Sequence, residues 1–303
     1  MSSQHQLQME RQLRVLKFMY SKHLLCPRTL ELDILRVEKS QPHKINAKEL
    51  APLDQDHFMG LAATNSCIDE TRISGESVVL DIGSGLGGPA RYISHRTGCR
   101  VLGVEIQRDR LLASMKLTRM VGLDGRVQFV HADIAAVPLP RRRFTHAIAF
   151  LSILHILDKP SFLQHLREFL VEGGQLYIED YYQNRAVAAA DSTMLLRTVS
   201  CPNLMRLQHY LQCLDGAGIS VTATSDMTHV WRQLVDQRHQ DLTVNRASYV
   251  RAYGEKATER AAQFAAGVLK LFQSGVIGGI RIIGERRRRS VAPSERSLAA
   301  TAV

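Results

Sequence analysis

The sequence predicts an α/β fold in which helices cover both faces of a mostly parallel sheet. Short apolar segments alternate with helix-like segments from Val78 to Asp180, which is typical of such sheets. A glycine-rich loop, Gly83 to Gly88, follows the first apolar segment, and acidic residues stand where several segments end. Because ligands of these sheets bind beyond the carboxyl ends of the strands, the strand-end residues are the informative ones.

The predicted elements follow one another in a regular order. Apolar runs predict five strands, at residues 78–82, 100–105, 126–131, 144–151 and 175–180. Helical spacing predicts helices at about 89–96, 109–121 and 161–171, the last one ended by Gly173 and Gly174. After Tyr182 the alternation stops, and two cap segments (about 183–217 and 227–275), a strand-like "ISVTATSD" and a closing strand, Gly278 to Gly284, are predicted.

Three regions divide the chain. Residues 1–50 are predicted to form a helical extension, residues 51–284 the main domain, and residues 285–303 a basic tail that we expect to be disordered. The first 24 residues carry positive charge and apolar residues at helical spacing. An amphipathic helix packing on the body explains this pattern best, and a mitochondrial presequence is the alternative. We therefore expect a cytoplasmic location, with a mitochondrial one as the alternative.

Composition excludes several classes of function. The net charge of +10 comes partly from Arg141–Arg143 and Arg286–Arg289, but the basic residues lack the interleaved aromatics of a nucleic-acid platform. The longest apolar stretch, Phe144–Leu157, is interrupted and too short to span a membrane. Five scattered cysteines without a CxxC pair predict no metal site. A small-molecule substrate is the expected partner, and the oligomeric state stays open.

Asp81 indicates which nucleotide the glycine-rich loop binds. The loop satisfies GxGxxG, which allows a dinucleotide or another adenosyl ligand to approach the backbone. A pyrophosphate at this helix N-terminus would lie beside the Asp81 carboxylate. At ~4 Å, like charges repel by about 4 kcal/mol at an effective dielectric constant of about 20. A ligand that carries an ammonium and a sulfonium has the opposite preference.

Two further carboxylates complete the pattern. Glu105 ends the second predicted strand, where it can accept hydrogen bonds from both ribose hydroxyls. Asp133 follows the third strand, in "VHADI", where it can accept from the adenine amine. Together with Asp81, the two residues fit S-adenosylmethionine. The alternatives are a capping role for Asp81 and ordinary surface roles for the other two.

Several segments carry a resemblance to a known family: "VVLDIGSGLGGPARYIS", "VLGVEI", "VQFVHADI", "ILHILDKPSFLQHLREFLVEGGQLYIEDYY" and "SDMTHVWRQLVDQRHQDL". Over residues 51–284 the chain resembles class I S-adenosylmethionine-dependent methyltransferases, particularly sarcosine/dimethylglycine and phosphoethanolamine N-methyltransferases. The resemblance implies a Rossmann-like sheet with an antiparallel last strand and helical cap insertions. "DQDHFMGLAAT" resembles the family segment that lies over the cofactor. The cofactor-binding residues implied are Asp81, Gly83, Ser84, Gly85, Glu105, Ile106, Asp133, Ile134 and Leu151.

A histidine and a tyrosine are the candidates for proton removal. An amine must be neutral to accept a methyl group, and histidine is the usual base near neutral pH. His155 matches the histidine that resembling N-methyltransferases pair with a tyrosine, and Tyr181 or Tyr20 is the predicted partner. Asp180 is predicted to line the substrate pocket with Tyr181, and Arg197 to bind a substrate carboxylate. The alternatives are a structural His155, a loop-capping Asp180 and a solvent-facing Arg197.

The sequence departs from the phosphoethanolamine enzymes at two places. Ala149-Phe150-Leu151 stands where those enzymes carry a Ser-Arg-Asp triplet, and "TVSCPN" stands where they carry an Arg/Tyr phosphate clamp. Specificity for a phosphobase is therefore in doubt.

Three other functions are alternatives. A carbon or oxygen methyltransferase on a sterol, quinone or phenol agrees with the apolar residues of the cap: Leu195, Leu196, Leu204, Leu207 and Leu211. A non-catalytic methyltransferase-like subunit is disfavoured by the intact loop from Gly83 to Gly88. An RNA methyltransferase would agree with the positive charge, but "AFLSILH" stands where a catalytic Asn/Asp-Pro-Pro-Tyr motif is expected.

Overall fold

A computed structural model describes residues 26–40 and 43–288. Its centre is a seven-stranded sheet with the strand order β3-β2-β1-β4-β5-β7-β6. The strands are β1 (Val78–Ile82), β2 (Arg100–Glu105), β3 (Val127–His131), β4 (Phe144–Phe150), β5 (Leu170–Gln183), β6 (Ile219–Asp226) and β7 (Ile277–Arg286). The predicted strands are all present, and β5 extends furthest beyond its predicted bounds of 175–180.

The direction of the strands confirms the predicted fold class. Strands β1 to β5 pair in parallel, and β7 lies antiparallel between β5 and β6. Asp81 is level with Gly103 of β2 and Ile148 of β4. Because parallel strands end at the same edge of a sheet, the ends of β1, β2 and β4 form one continuous rim.

Helices enclose this sheet on both faces. They are α1 (Pro27–Lys39), α2 (Ala47–Leu50), α3 (Leu61–Thr71), α4 (Gly88–Thr97), α5 (Arg108–Met120), α6 (Lys159–Phe169), α7 (Ala189–Val199), α8 (Leu207–Gly216), α9 (Thr228–Val244), α10 (Arg246–Tyr253) and α11 (Glu255–Gln273). Apolar residues of α3 and α4 pack on one face of the sheet, and those of α6 and α8 pack on the other. Burial of these faces is the main stabilising contribution.

The connection from α6 to β5 differs from the prediction. The helix ends at Phe169, and Gly173 and Gly174 lie inside β5 rather than at the end of the helix. The reason is tertiary pairing: Phe144 pairs with Leu170, so strand geometry begins directly after the helix. The glycines then occupy an irregular part of the strand, where Gly173 takes a φ of +76°.

The cap segments also differ from their predicted use. Tyr210 and Leu214 of α8 are fully buried in the core between the sheet and α6, so this helix covers the sheet. Apolar residues of α7, α9 and α11 form a separate cluster around Tyr181, at the end of β5. At the other boundary, β7 continues to Arg286, two residues beyond the predicted end of the main domain at residue 284.

The chain before β1 packs on the sheet domain. Leu30 and Ile34 of α1 contact Leu86 and Leu117 in one apolar cluster. The presequence hypothesis and Tyr20 lie outside the described residues, as does the predicted tail from residue 289 onward. Within residues 26–40 and 43–288, no helix is long and apolar enough to cross a membrane. The same residues contain no cluster of side chains able to hold a metal ion.

Candidate active site

The glycine-rich loop turns sharply between β1 and α4. Gly83 has a φ of +67°, and a Cβ built there would lie 2.6 Å from the Cβ of Ser152. The backbone N–H of Ser84 donates to Val104 of β2 at 3.1 Å, which fixes the loop against the next strand. Only glycine fits such a position, because both the backbone angle and the close approach exclude a side chain. The loop therefore presents bare backbone to a ligand.

Asp81 lies under this loop with an unsatisfied oxygen. Its side chain is 2% exposed, and neither Asp81 Oδ2 nor Ser84 Oγ has a hydrogen-bond partner among the residues that the structure describes. Burial raises the pKa of Asp81 to about 7, and the nearby Glu105 adds to this effect. A buried carboxyl without a partner is costly. A cationic ligand group would satisfy it.

Glu105 closes the loop from the end of β2. Its Oε2 accepts from the backbone N–H of Gly85 at 2.8 Å, and its Oε1 accepts from that of Gln107 at 2.7 Å. Burial raises the pKa of Glu105, and the positive charge of Arg110 opposes the shift. Each carboxylate oxygen has a second lone pair, so both can also accept from a ligand hydroxyl. The structure thus brings Glu105 together with Asp81, as predicted for the cofactor site.

The other predicted cofactor residues lie along the same rim. Asp133 follows β3 and accepts from the backbone N–H of Ala135 at 2.9 Å, so it caps its own turn as well. Ile134 is buried, and the carbonyl oxygen of Ile106 lies 3.0 Å from Nε2 of His131. Leu151 follows β4 with a φ of 50°, a left-handed backbone that is unusual for leucine. Their contacts with a cofactor stay a prediction.

A segment before α3 lies across this rim, and sequence reasoning gave it no residue roles. We call residues 54–60 the strap. Asp54 of the strap is 1% exposed and pairs with the equally buried Arg91 of α4 at 2.7 Å. Asp56 pairs with Arg110 of α5 at 2.6 Å. A Cβ at Gly88 would collide with the carbonyl of Asp54, so the strap lies directly on the loop.

Aromatic contacts hold the other half of the strap. The ring of His57 stacks on Phe150 at 4.4 Å between centroids, and Phe58 stacks on Trp231 of α9 at 4.8 Å. Burial lowers the pKa of His57 to about 4, so this imidazole is neutral at pH 7. The strap therefore connects the glycine-rich loop with the cap.

We expect the Asp54–Arg91 pair to be a large local contribution to stability. Arg91→Met should lower the free energy of unfolding by about 3–5 kcal/mol, because it leaves a buried carboxylate without its charge partner. Urea denaturation measures this loss. The double variant Arg91→Met/Asp54→Leu should recover most of it, and Arg96→Ala, which breaks an exposed pair, should change little. Equal effects of the two arginine variants would contradict this assignment.

His155 lies in the turn after β4. It ends the short 3-10 helix Ile153–His155 and is half-buried. Its Nδ1 lies 3.3 Å from the carbonyl oxygen of Ser200, at the end of α7. A carbonyl only accepts, so this bond places a proton on Nδ1 and the lone pair of the neutral ring on Nε2. This is the tautomer of a base that acts through Nε2.

The remaining predicted residues are not all brought together. Tyr181 packs its ring edge-on against Trp231 and Phe272, with centroids 6.0 and 5.8 Å away. Asp180 is fully buried on the opposite face of β5, where Tyr210 donates to it at 3.4 Å. Arg197 is exposed on α7. Neighbouring residues of a strand point to opposite faces, so Asp180 and Tyr181 face different surroundings. Their substrate and catalytic roles stay predictions.

Comparison with known proteins agrees with this geometry. Residues 79–174, from β1 to the start of β5, match the family profile described as a methyltransferase domain. The sheet has the expected strand order with an antiparallel β7, and the predicted resemblance and fold are confirmed.

Two curated relatives match this chain over part of their length. The chain is 27% identical over 176 residues to phosphoethanolamine N-methyltransferase 1 of Arabidopsis thaliana, covering 58% of this chain and 35% of that one. It is 27% identical over 159 residues to sarcosine/dimethylglycine N-methyltransferase of Halorhodospira halochloris, covering 51% and 55%. The chain thus spans about a third and about half of these two relatives.

A solved structure has the same fold as most of this chain. Phosphoethanolamine N-methyltransferase 2 of Haemonchus contortus, in complex with S-adenosyl-L-methionine, matches with a TM-score of 0.70 and 15% identity. The match covers 77% of this chain and 55% of that structure. At this level of identity the comparison concerns the fold, and the chemistry must be argued from the residues of this chain.

Proposed function

We propose that this chain binds S-adenosyl-L-methionine and transfers its methyl group to a small molecule, most simply to an amine nitrogen. The observation that carries the proposal is the buried carboxylate of Asp81, whose Oδ2 has no partner among the described residues. It lies beside a bare glycine turn and an equally unsatisfied Ser84 hydroxyl. An adenosyl ligand with an ammonium group supplies the missing donor, whereas a pyrophosphate would add a second negative charge.

Each part of the cofactor has candidate partners on the rim. Asp81 and the loop from Gly83 to Gly85 would hold the methionyl end, Glu105 the ribose hydroxyls, and Asp133 the adenine amine, flanked by Ile106, Ile134 and Leu151. When bound, the cofactor supplies an electrophilic methyl group on a sulfonium. The strap, stacked on Phe150 and Trp231, would cover that end and keep water out.

The residues of the chain would align the acceptor and remove its proton. His155 presents the Nε2 lone pair of its neutral ring, because Nδ1 donates to Ser200. We propose that Nε2 takes the proton of an ammonium acceptor, so that the amine lone pair can form the new bond to carbon as the bond to sulfur breaks. Tyr181 would line the acceptor side of the pocket. Alignment and water exclusion supply the rest of the rate.

Cofactor affinity should rise with pH. The pKa of Asp81 is raised to about 7 without ligand, and only the ionised carboxylate attracts an ammonium. From about pH 6 to about pH 8, the dissociation constant for S-adenosylhomocysteine should fall about tenfold, with release of nearly one proton at pH 6 and of almost none at pH 8. Calorimetry in buffers of different ionisation enthalpy measures both quantities. Asp81→Asn should remove the pH dependence, and its persistence in that variant would assign it to another group.

Titration with S-adenosylhomocysteine tests the cofactor, with NAD as the control. We expect micromolar affinity for the former, roughly −8 kcal/mol, and none for NAD. Transfer of a labelled methyl group to a panel of glycine derivatives, phosphobases, phenols and sterols then tests the reaction. Binding of NAD alone would overturn the proposal. Binding of neither would favour a non-catalytic subunit.

A second candidate is methyl transfer to carbon or oxygen of an apolar acceptor. The apolar cluster around Tyr181 contains buried residues of three cap helices: Leu195, Val199, Trp231, Val235, Val268, Leu269, Leu271 and Phe272. Two leucines that were predicted to belong to the apolar cap, Leu207 and Leu211, instead pack against the core beside the sheet. Identification of the methylated atom by mass spectrometry and NMR discriminates between the two candidates.

We further propose that the acceptor is a free small molecule in the cytoplasm rather than a nucleic acid. The exposed arginines of Arg141–Arg143 follow β3 and precede β4, at the edge of the sheet opposite the glycine-rich loop. A nucleic acid bound there would be far from His155. Transfer of a labelled methyl group to RNA, but to no member of the small-molecule panel, would contradict this proposal.

A further inference from the structure

A buried lysine supports the turn that carries His155. Lys159, the first residue of α6, is 2% exposed. Its ammonium donates to the carbonyl of Ile156 at 2.8 Å, to the carbonyl of Asn203 at 2.8 Å and to Asn203 Oδ1 at 2.6 Å. An ammonium has three donors, and these three bonds account for all of them. The side chain therefore has a defined direction although it is long and flexible.

Asn203 completes the connection in the reverse direction. Its Nδ2 donates to the carbonyl of Leu157 at 2.8 Å. The residue thus binds the turn after His155 through its amide nitrogen, its amide oxygen and its own carbonyl. These bonds join two segments that are more than 40 positions apart in the chain, since Lys159 and Asn203 differ by 44.

The same two segments meet at His155. Ser200, three residues before Asn203, accepts the bond from His155 Nδ1. On the other side, the backbone N–H of Leu154, directly before His155, helps to lower the pKa of the carboxyl of Asp180 of β5, which burial raises. Its negative charge also opposes the lowering of the Lys159 pKa, which burial causes. The turn from 154 to 159 is therefore held from both the cap and the sheet.

We propose that Lys159 and Asn203 are positioning residues, which keep His155 against Ser200 and so fix the ring tautomer that leaves Nε2 as the base. This inference rests on the proposed function of His155. It also gives Asp180 a role different from the predicted one: its buried carboxylate supports the turn rather than touching the acceptor. Neither Lys159 nor Asn203 contacts the reacting atoms.

The test uses Asn203→Ala, because the side chain is exposed and its removal leaves the core intact. We expect kcat to fall about tenfold, with the KM for S-adenosylmethionine and the affinity for S-adenosylhomocysteine within about twofold of the parent. Asn203→Asp keeps an oxygen for Lys159 and should recover most of the rate. Gln164→Ala removes an exposed amide on α6, the helix that begins with Lys159. It is the matched control and should have no effect.

Lys159→Met provides a second variant, with its melting temperature measured alongside. We expect a loss of kcat at least as large as that of Asn203→Ala. If Lys159→Met does not fold, the comparison of Asn203→Ala with Asn203→Asp tests the inference. A rate for Asn203→Ala equal to that of Gln164→Ala would overturn the inference, as would equal losses in Asn203→Ala and Asn203→Asp.

A spectroscopic readout separates this inference from the proposed function. Nitrogen-15 NMR of the resting protein, with His155 assigned by comparison with His155→Ala, reports which ring nitrogen carries the proton. We expect the Nδ1–H form in the parent and in Gln164→Ala, and a shift toward the Nε2–H form in Asn203→Ala. An unchanged tautomer would overturn the inference. Absence of methyl transfer by the parent would overturn the proposed function instead.

Discussion

Asp81→Ala is expected to weaken binding of S-adenosylhomocysteine about a hundredfold, equivalent to about 2.8 kcal/mol. The reason is that the variant removes the one buried carboxylate that lies unsatisfied under the glycine-rich loop. Truncating one partner of a buried charge pair has effects of about this size. Calorimetric titration of the purified full-length chain measures the change.

Folding and binding should respond to this substitution in opposite directions. In the ligand-free protein the Asp81 carboxylate is desolvated and lies near Glu105, so its removal relieves an unfavourable interaction. Asp81→Asn should therefore melt at the same temperature as the parent or higher, while its binding of S-adenosylhomocysteine is weaker. Glu105→Gln, which keeps one acceptor oxygen, should weaken binding less. Parent-like affinity in Asp81→Asn would remove the central support for the proposed function.

His155→Ala is expected to reduce kcat by about 100- to 10,000-fold when the acceptor is an amine. The affinity for S-adenosylhomocysteine should stay within about threefold of the parent, because the imidazole lies after β4 and binds Ser200 rather than the glycine-rich loop. Single-turnover transfer of a labelled methyl group measures the chemical step, and titration measures binding.

An exposed histidine supplies the control for this prediction. His95→Ala, on α4, should leave both quantities unchanged. Added imidazole should restore part of the rate of His155→Ala if the ring acts as a base. Loss of both binding and turnover in His155→Ala would indicate a structural role for the residue. Loss of neither would assign proton removal to another group.

The sequence was sufficient for the sheet and for the glycine-rich loop because both depend on local patterns. Alternating apolar segments specify the parallel strands, and the spacing from Asp81 to Gly88 specifies a turn that the structure contains. The proximity of Asp81 and Glu105 also followed from local information, since parallel neighbours end at the same edge.

The strap and the support of His155 depend on tertiary contacts and could not be predicted. Asp54 and Arg91 are 37 positions apart, and no local sequence pattern indicates that they pair. The same holds for Lys159 and Asn203, whose bonds exist only once α6 and the cap meet.

The direction of individual side chains also could not be predicted from the sequence. The sequence placed Asp180 and Tyr181 in one pocket because they are adjacent at a strand end. In the folded strand they point to opposite faces, toward Tyr210 and Trp231 respectively. The predicted end of α6 was also wrong, because strand pairing at Leu170 outweighed the helix-ending tendency of Gly173.

The strap gives the two halves of the site a common mechanical element. Asp54 fixes one end to the helix behind the glycine-rich loop, and Phe58 fixes the other to the cap. A ligand that orders this short segment from one side also removes conformational freedom that a ligand on the other side would have to remove. The resulting cooperativity must be reciprocal, so the cofactor and the acceptor raise each other's affinity by the same factor.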